Sequence, residues 1–392
     1  MYVGLVVAVT LVALVTTTAT EGGDPAGEDA VELAAFAPPA APRHDPATAV
    51  VLDGLRRGGG GGAEVVGWAT QTDRVEVLAD GDVIASLPID QERPDVALAH
   101  GLGTAFVGFR GRVDIPPDAD LVCVTRPGQL PAPNACDREI LELPRHRVVA
   151  FYGVPGVPAL GTLGDGSPAS VRRRLVDQAR PYVTEDRPVM HAFEVLGTVA
   201  QASAGADGNY SAPIDHADIW RYLEEIRKVD GVLVIDLQPG RETYMDQLPA
   251  FDALLREPDV HVALDPEWDM GPNEVPGRVV GQSDASEINA VMDYLDRIIV
   301  EERLPKKAVV AHNFQPRMIT NRDRLAPPET IDLVVHMDGH GPPATKIGNY
   351  GRLVALQESF TGFKLFYQRD VPLLGPRDVL GLEPAIDFVS YQ

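Results

Sequence analysis

Cysteine stands at only two of 392 positions, Cys123 and Cys136. A structural zinc site needs four ligands, so two thiols argue against a cysteine-based zinc knuckle. Basic charge is scarce too: 34 Lys and Arg face 57 Asp and Glu, for a formal net charge of -23. Lysine occurs only as Lys228, Lys306, Lys307, Lys346 and Lys364. Such a chain repels phosphate backbones and anionic bilayers, which argues against nucleic acid and leaves neutral or cationic ligands as partners. The segment "YGVPGVPALGTLG" has glycines but no G-x-G-x-x-G, so no phosphate cradle is predicted. Neither H-x-H nor H-E-x-x-H occurs, and no cofactor or metal is expected. The apolar run from Val3 to Val15 is short for a membrane span and has the length of a signal-peptide core. Export is therefore expected, with residues 1–20 as signal peptide or anchor and the product secreted or associated with the cell envelope.

What is present divides the chain into segments. Residues 21–62, ending in "RRGGGGG", are rich in Ala, Pro, Gly and acids with weak periodicity, and predict a disordered linker. From 63 to 145 short alternating runs are broken by turn residues, with Asp80-Gly81 between "RVEVLA" and "DVIASLP" as a hairpin signal. That pattern predicts a small antiparallel β-sandwich. Cys123 and Cys136 fall on a second hairpin-like stretch, "LVCVTRPGQLPAPNACDREI", and an exporting cell permits a disulfide there. The stretch "GWATQTDRVEVLADGDVIASLPIDQERPDVALAHG", with the paired cysteines, resembles the compact Ig-like β-sandwich modules attached to secreted bacterial cell-wall enzymes. The resemblance implies envelope association and brings no catalytic residue; Arg93 and Asp95 in "ERPDVA" would pin a loop.

From 146 to 392 the texture becomes strand-helix alternation, with eight apolar strands: "RVVAFYG", "PVMHAFEV", "GVLVIDLQ", "VHVALDPE", "KAVVAHNF", "IDLVVHMDG", "GFKLFYQ" and "AIDFVSYQ". Helical patterns lie between them, including "SPASVRRRLVDQARPYV", which opens on a cap-like Ser-Pro. Eight strands over this length predict an α/β fold, a (β/α)8 TIM barrel. The stretches "AFYGVPG", "VALDPEWDM", "VVAHNFQPRMITN", "HMDGHGPPATK" and "GFKLFYQRDVPLL" resemble a family of uncharacterised exported bacterial proteins, which implies the same fold and export without a substrate.

In a barrel, enzymes keep their chemistry at the C-terminal ends of the strands, and polar residues collect there with one parity. Tyr152, Glu194, Asp236, Gln238, Asp265, Glu267, His312, His336, Asp338, Lys364, Gln368 and Ser390 should ring the mouth, beside Trp268. Carboxylates at the ends of four strands are costly to bury unless they serve a ligand. The leading expectation is a glycoside hydrolase-like enzyme on an envelope or extracellular polysaccharide, which needs one protonated and one ionised carboxyl group. Glu267 is the expected acid, Asp265 a nucleophile or orienting carboxylate kept ionised by Lys364 or His312, and Asp338 the partner from the sixth strand. Tyr152, Glu194, Asp236, Gln238, Trp268, His312, His336, Lys364 and Gln368 would bind substrate, Lys364 also neutralising Glu194 or Asp236. Two alternatives stand beside it. One is metal-assisted hydrolysis of a phosphoester, amide or acetyl group with Glu194, Asp236, Asp265, His312 and His336 as ligands, and His340 nearby in "HMDGH". The other is a barrel that binds carbohydrate without turnover.

Overall fold

The computed structural model describes residues 49–392 except 58–61, 117, 118, 120, 130, 132–134, 138–140, 303 and 357. The expected signal segment 1–20 and most of the expected linker lie outside the described residues. Among the described residues no helix is long and apolar enough to cross a membrane.

Two four-stranded antiparallel sheets come first. Strands β1 (Val50–Arg57), β2 (Gly62–Ala69), β3 (Arg74–Ala79), β4 (Asp82–Pro88), β5 (Gln91–Glu92), β6 (Phe106–Asp114), β7 (Val122–Thr125) and β8 (Cys136–Asp137) sort into the orders β1-β2-β6-β5 and β4-β3-β7-β8. Alternate residues of the sheets, among them Val65, Val75, Val77, Phe109, Val113 and Val124, make the shared core. At the β3–β4 turn Asp80 and Gly81 both take positive φ, 51° and 94°, which an Asp-Gly pair tolerates in a tight hairpin. Arg93 bridges Asp53 on β1 and Asp95 at 2.7 Å, so it pins the loop to the sheet as its sequence context suggested.

One boundary is corrected. Residues 50–57, assigned to the disordered linker, form β1, which pairs with β2 through Val50↔Ala69 and Val51↔Trp68. The Gly/Ala-rich composition around it masked the signal, but Val50, Leu52 and Leu55 pack on the sandwich core, which offsets the entropy of ordering them.

Cys123 and Cys136 are bonded across the β7–β8 pair. Their separation of 13 residues closes a short loop. Replacing both by Ala should lower the unfolding free energy of the sandwich by about 3 kcal/mol on chain-entropy grounds, read from denaturant unfolding. An unchanged midpoint under non-reducing conditions would contradict this.

The second unit is a closed barrel of eight parallel strands: β9 (Arg147–Gly153), β10 (Val189–Leu196), β11 (Val232–Leu237), β12 (Val260–Leu264), β13 (Lys307–Asn313), β14 (Ile331–Met337), β15 (Phe360–Leu365) and β16 (Phe388–Tyr391). Closure runs from β16 back to β9, with Val389 opposite Val149. Helices cover the outside, among them Pro168–Ala179, capped by the Ser167 hydroxyl, and Ala285–Glu302. The strands are apolar on both faces because both are buried. Outward residues such as Val149, Phe193, Ile235 and Val262 meet the helices. Inward residues fill the lower barrel, with Val148, Ala150, Ala192, Val234, Ala263, Val310 and Val334 in one cluster. The barrel floor is therefore packed, and the next inward position on each strand opens the mouth.

β12 ends sooner than its sequence suggests. Asp265 still donates its N–H to the Leu237 carbonyl at 3.1 Å, but Pro266, lacking an N–H, starts a 3-10 turn over Pro266–Trp268. Glu267 therefore reaches the mouth from a turn rather than by strand alternation with Asp265.

Candidate active site

Seven strands each supply one residue to a layer two positions above the apolar floor. Tyr152 comes from β9, Glu194 from β10, Asp236 from β11, His312 from β13, His336 from β14, Lys364 from β15 and Ser390 from β16, and all are buried. Asp265, Gln238 and Asp338 follow the ends of β12, β11 and β14, also buried. Parity accounts for this: each lies two or four residues along its strand or strand extension from a residue of the barrel floor.

His312 is the hub. Its Nε2 lies 2.8 Å from Glu194 Oε1 and 3.9 Å from Asp236 Oδ2, while Nδ1 lies 2.8 Å from Asp338 Oδ2. Lys364 sets its ammonium 3.3 Å from the centre of the Tyr152 ring and 3.5 Å from Asp338 Oδ2. Its nearest carboxylate is thus Asp338 rather than Glu194 or Asp236, the partners expected for it. Gln238 is oriented by its Oε1, which accepts the Ala200 N–H at 3.0 Å. The amide nitrogen must then face Tyr152 Oη and Asp265 Oδ2, each at 3.3 Å. His336 Nε2 is 2.8 Å from Ser390 Oγ, and its ring lies 5.0 Å from that of His312.

The carboxyl groups differ in their environments. Burial, then the charge of Asp338, pushes Glu267 up to about 7. Burial and the Asp236 charge push Asp265 well above its ordinary value, which favours its protonated form. Its hydrogen-bond partner is the neutral amide of Gln238 rather than the Lys364 or His312 cation expected beside it. For Asp338 burial acts upward, but Lys364 and His312 outweigh it and hold the group well below its ordinary value. Asp236 is raised to about 6, chiefly by burial. Burial opposes a charge on His312, yet Glu194 and Asp236 outweigh it and raise the group well above the usual imidazole value. His336, by contrast, is lowered well below it, by burial and by the His312 charge, and stays neutral.

Three residues lie outside the buried layer. Gln368 is exposed and lines a cavity of about 800 Å³ with Gln178, Phe366, Tyr367, Arg369 and Gln392. Phe366 joins this cavity to the mouth, its ring centre 5.5 Å from Lys364 Nζ. Trp268 is half-buried on the 3-10 turn, where its carbonyl accepts the Gly240 N–H at 3.0 Å. His340 is exposed against Phe366 and is not paired with His336. Sequence reasoning missed Arg369, whose charge acts on Glu267, and Gln178 and Gln392. The polar run after "FKLFY" could have flagged Arg369, but Gln178 lies on a surface helix that carries no such signal.

Room for His336 depends on Gly362 opposite it on β15. A Cβ there would lie 2.7 Å from His336 Nδ1 and 3.1 Å from its Cα. One of those atoms is backbone and cannot swing away, so Gly362→Ala should cost about 1–3 kcal/mol by overpacking. A thermal melt no different from the parent's would refute this.

No family model matches the sequence, and no curated protein matches it. Among solved structures, a cytochrome P450 reductase of Amycolatopsis aligns at 13% identity over 69% of this chain and 68% of that one, with a TM-score of 0.13. That score carries no argument about fold or activity.

Proposed function

We propose that the protein is an exported glycoside hydrolase-like enzyme that cleaves a neutral envelope or extracellular polysaccharide, with Glu267 as general acid and Asp338 as the ionised partner. One observation carries the reading: two carboxyl groups act on the same barrel mouth from opposite environments. Asp338 is clamped through Oδ2 by His312 and Lys364, whereas Glu267 is half-buried and close enough to feel the Asp338 charge. A group raised to about 7 still carries a proton to give near neutrality. In this scheme Glu267 protonates the leaving glycosidic oxygen as its bond to the anomeric carbon breaks. Asp338 stabilises the developing positive charge or activates the incoming water, whose hydroxide completes the product and whose proton restores the acid. Asp265, raised by burial and held by Gln238, orients rather than attacks. The adjoining cavity supports a saccharide, since amide and guanidinium groups of Gln178, Gln368, Gln392 and Arg369 can bond hydroxyls beside the ring of Tyr367. Export rests on the Val3 to Val15 run, and the negative charge of the chain favours an uncharged substrate.

The test is reducing-end release from a panel of envelope and extracellular polysaccharides by the full-length chain. Cleavage of at least one, lost in Glu267→Gln, is expected. If the folded parent cleaves none, the enzyme reading fails; a polysaccharide that then raises the melting temperature establishes a binding barrel in its place.

A further inference from the structure

We propose that Glu194, Asp236 and His312 form a binding site for one first-row divalent metal ion at the inner end of the mouth. The three residues come from β10, β11 and β13 and are fully buried. One ligand atom from each lies within 4.8 Å of the other two. Two atoms bound at about 2.1 Å to one ion stand roughly 3.0–3.4 Å apart at octahedral to tetrahedral angles. His312 Nε2 is 2.8 Å from Glu194 Oε1 and 3.9 Å from Asp236 Oδ2, each within about half an ångström of such a spacing, and the two carboxylates approach within 4.8 Å of each other.

Proximity alone would also fit a plain ion-pair network. The unpartnered oxygens decide between the two. Among the described residues, Asp236 Oδ1, Asp236 Oδ2 and Glu194 Oε2 are buried and accept no hydrogen bond. A proton on His312 Nε2 shared with Glu194 leaves both Asp236 oxygens without a donor, which burial strongly disfavours. An ion held by Nε2 and both carboxylates satisfies them together. Asp338 Oδ2 lies 2.8 Å from His312 Nδ1, on the side of the ring away from Nε2, close enough to balance charge on a ligated histidine although the two atoms are not aligned as a hydrogen bond. Asp265 and His336, in the wider ligand set considered from sequence, are outside this group: Asp265 is turned to Gln238 and His336 to Ser390.

The donor set names the class of ion. One imidazole with two carboxylates suits Zn2+ or Mn2+, whereas Ca2+ prefers six to eight oxygen ligands. Three protein ligands leave at least one position for water or substrate. The site does not depend on the glycosidase reading, and its test measures binding without turnover.

Full-length chain purified without chelator should be assayed for metals, then stripped with EDTA and titrated calorimetrically with ZnCl2 and MnCl2. About one equivalent of one of these ions is expected, with a dissociation constant on the order of 1 μM or tighter. Asp236→Asn, nearly isosteric, should weaken it at least about tenfold, and Ser390→Ala should leave it unchanged. If Asp236→Asn does not fold, Glu194→Gln takes its place with the same expectation. A stripped, folded parent that takes up neither ion at about 1 mM overturns the proposal. So does a binding isotherm that the folded ligand variant leaves unaltered.

Discussion

Glu267→Gln is expected to cut kcat by about 10^2 to 10^4-fold, the usual contribution of a positioned acid, with little change in substrate binding. Gln keeps the shape and the hydrogen-bonding capacity of the side chain but has no proton to give. The pH profile sharpens the test. An acid raised to about 7 must be protonated to work, so the activity of the parent should fall as pH rises through 7. Any residual activity of the variant should lack that limb. Stability should move the other way. Because the folded group titrates near 7 and its ordinary value is 4.5, ionisation weakens the fold progressively between those two values. The variant cannot ionise, so above pH 7 it should melt higher than the parent; at pH 4 the two should coincide. A variant with parental turnover removes Glu267 from the chemistry. One that melts lower at pH 8 contradicts the burial account of its shift.

Asp338→Asn should destabilise the barrel by about 3–5 kcal/mol, whereas Asp265→Asn should change stability by less than about 1 kcal/mol. Both carboxyls are buried at the same mouth, so composition and position do not separate them. What separates them is their neighbours. Asp338 is the carboxylate nearest Lys364 at 3.5 Å and lies 2.8 Å from His312 Nδ1. An amide there strands the buried Lys364 ammonium and takes one carboxylate from His312, which keeps Glu194 at 2.8 Å. Asp265 is raised by burial, has an amide rather than a cation against it, and accepts from Gln238 at 3.3 Å, a bond the Asn carbonyl oxygen can also accept. The sign with pH follows. Asp338 is held below its ordinary value of 3.8, so its contribution is complete above that value and shrinks as pH falls below it. The Asp338→Asn penalty should therefore be largest near neutrality and diminish toward pH 3. Denaturant unfolding of both variants at pH 7 decides the matter: equal penalties would mean that Asp265 carries a charge after all.

Sequence alone determined the barrel and the ring of residues at its mouth, because both rest on periodicity. All eight predicted strands form, and in a parallel strand an inward residue is followed by another two positions on. Tyr152, Glu194, Asp236, His312, His336, Lys364 and Ser390 could thus be placed together without coordinates, as could the Asp80-Gly81 turn, whose backbone needs residues that accept positive φ. Strand β1 was misassigned to the linker because its pairing with β2 is a contact across a glycine run, invisible to local composition. Partner choice was likewise beyond the sequence. Lys364 meets Asp338, Gln238 turns its amide toward Asp265, and His312 faces Glu194 with Asp236 behind it, and each outcome depends on rotamers and on distances across the barrel. Those distances set which carboxyl groups keep a proton, because an interior charge is governed by the neighbour a few ångströms away rather than by its place along the chain. Only closure of the sheet, which brings β10 within reach of β13, decided that Glu194, Asp236 and His312 share one point in space.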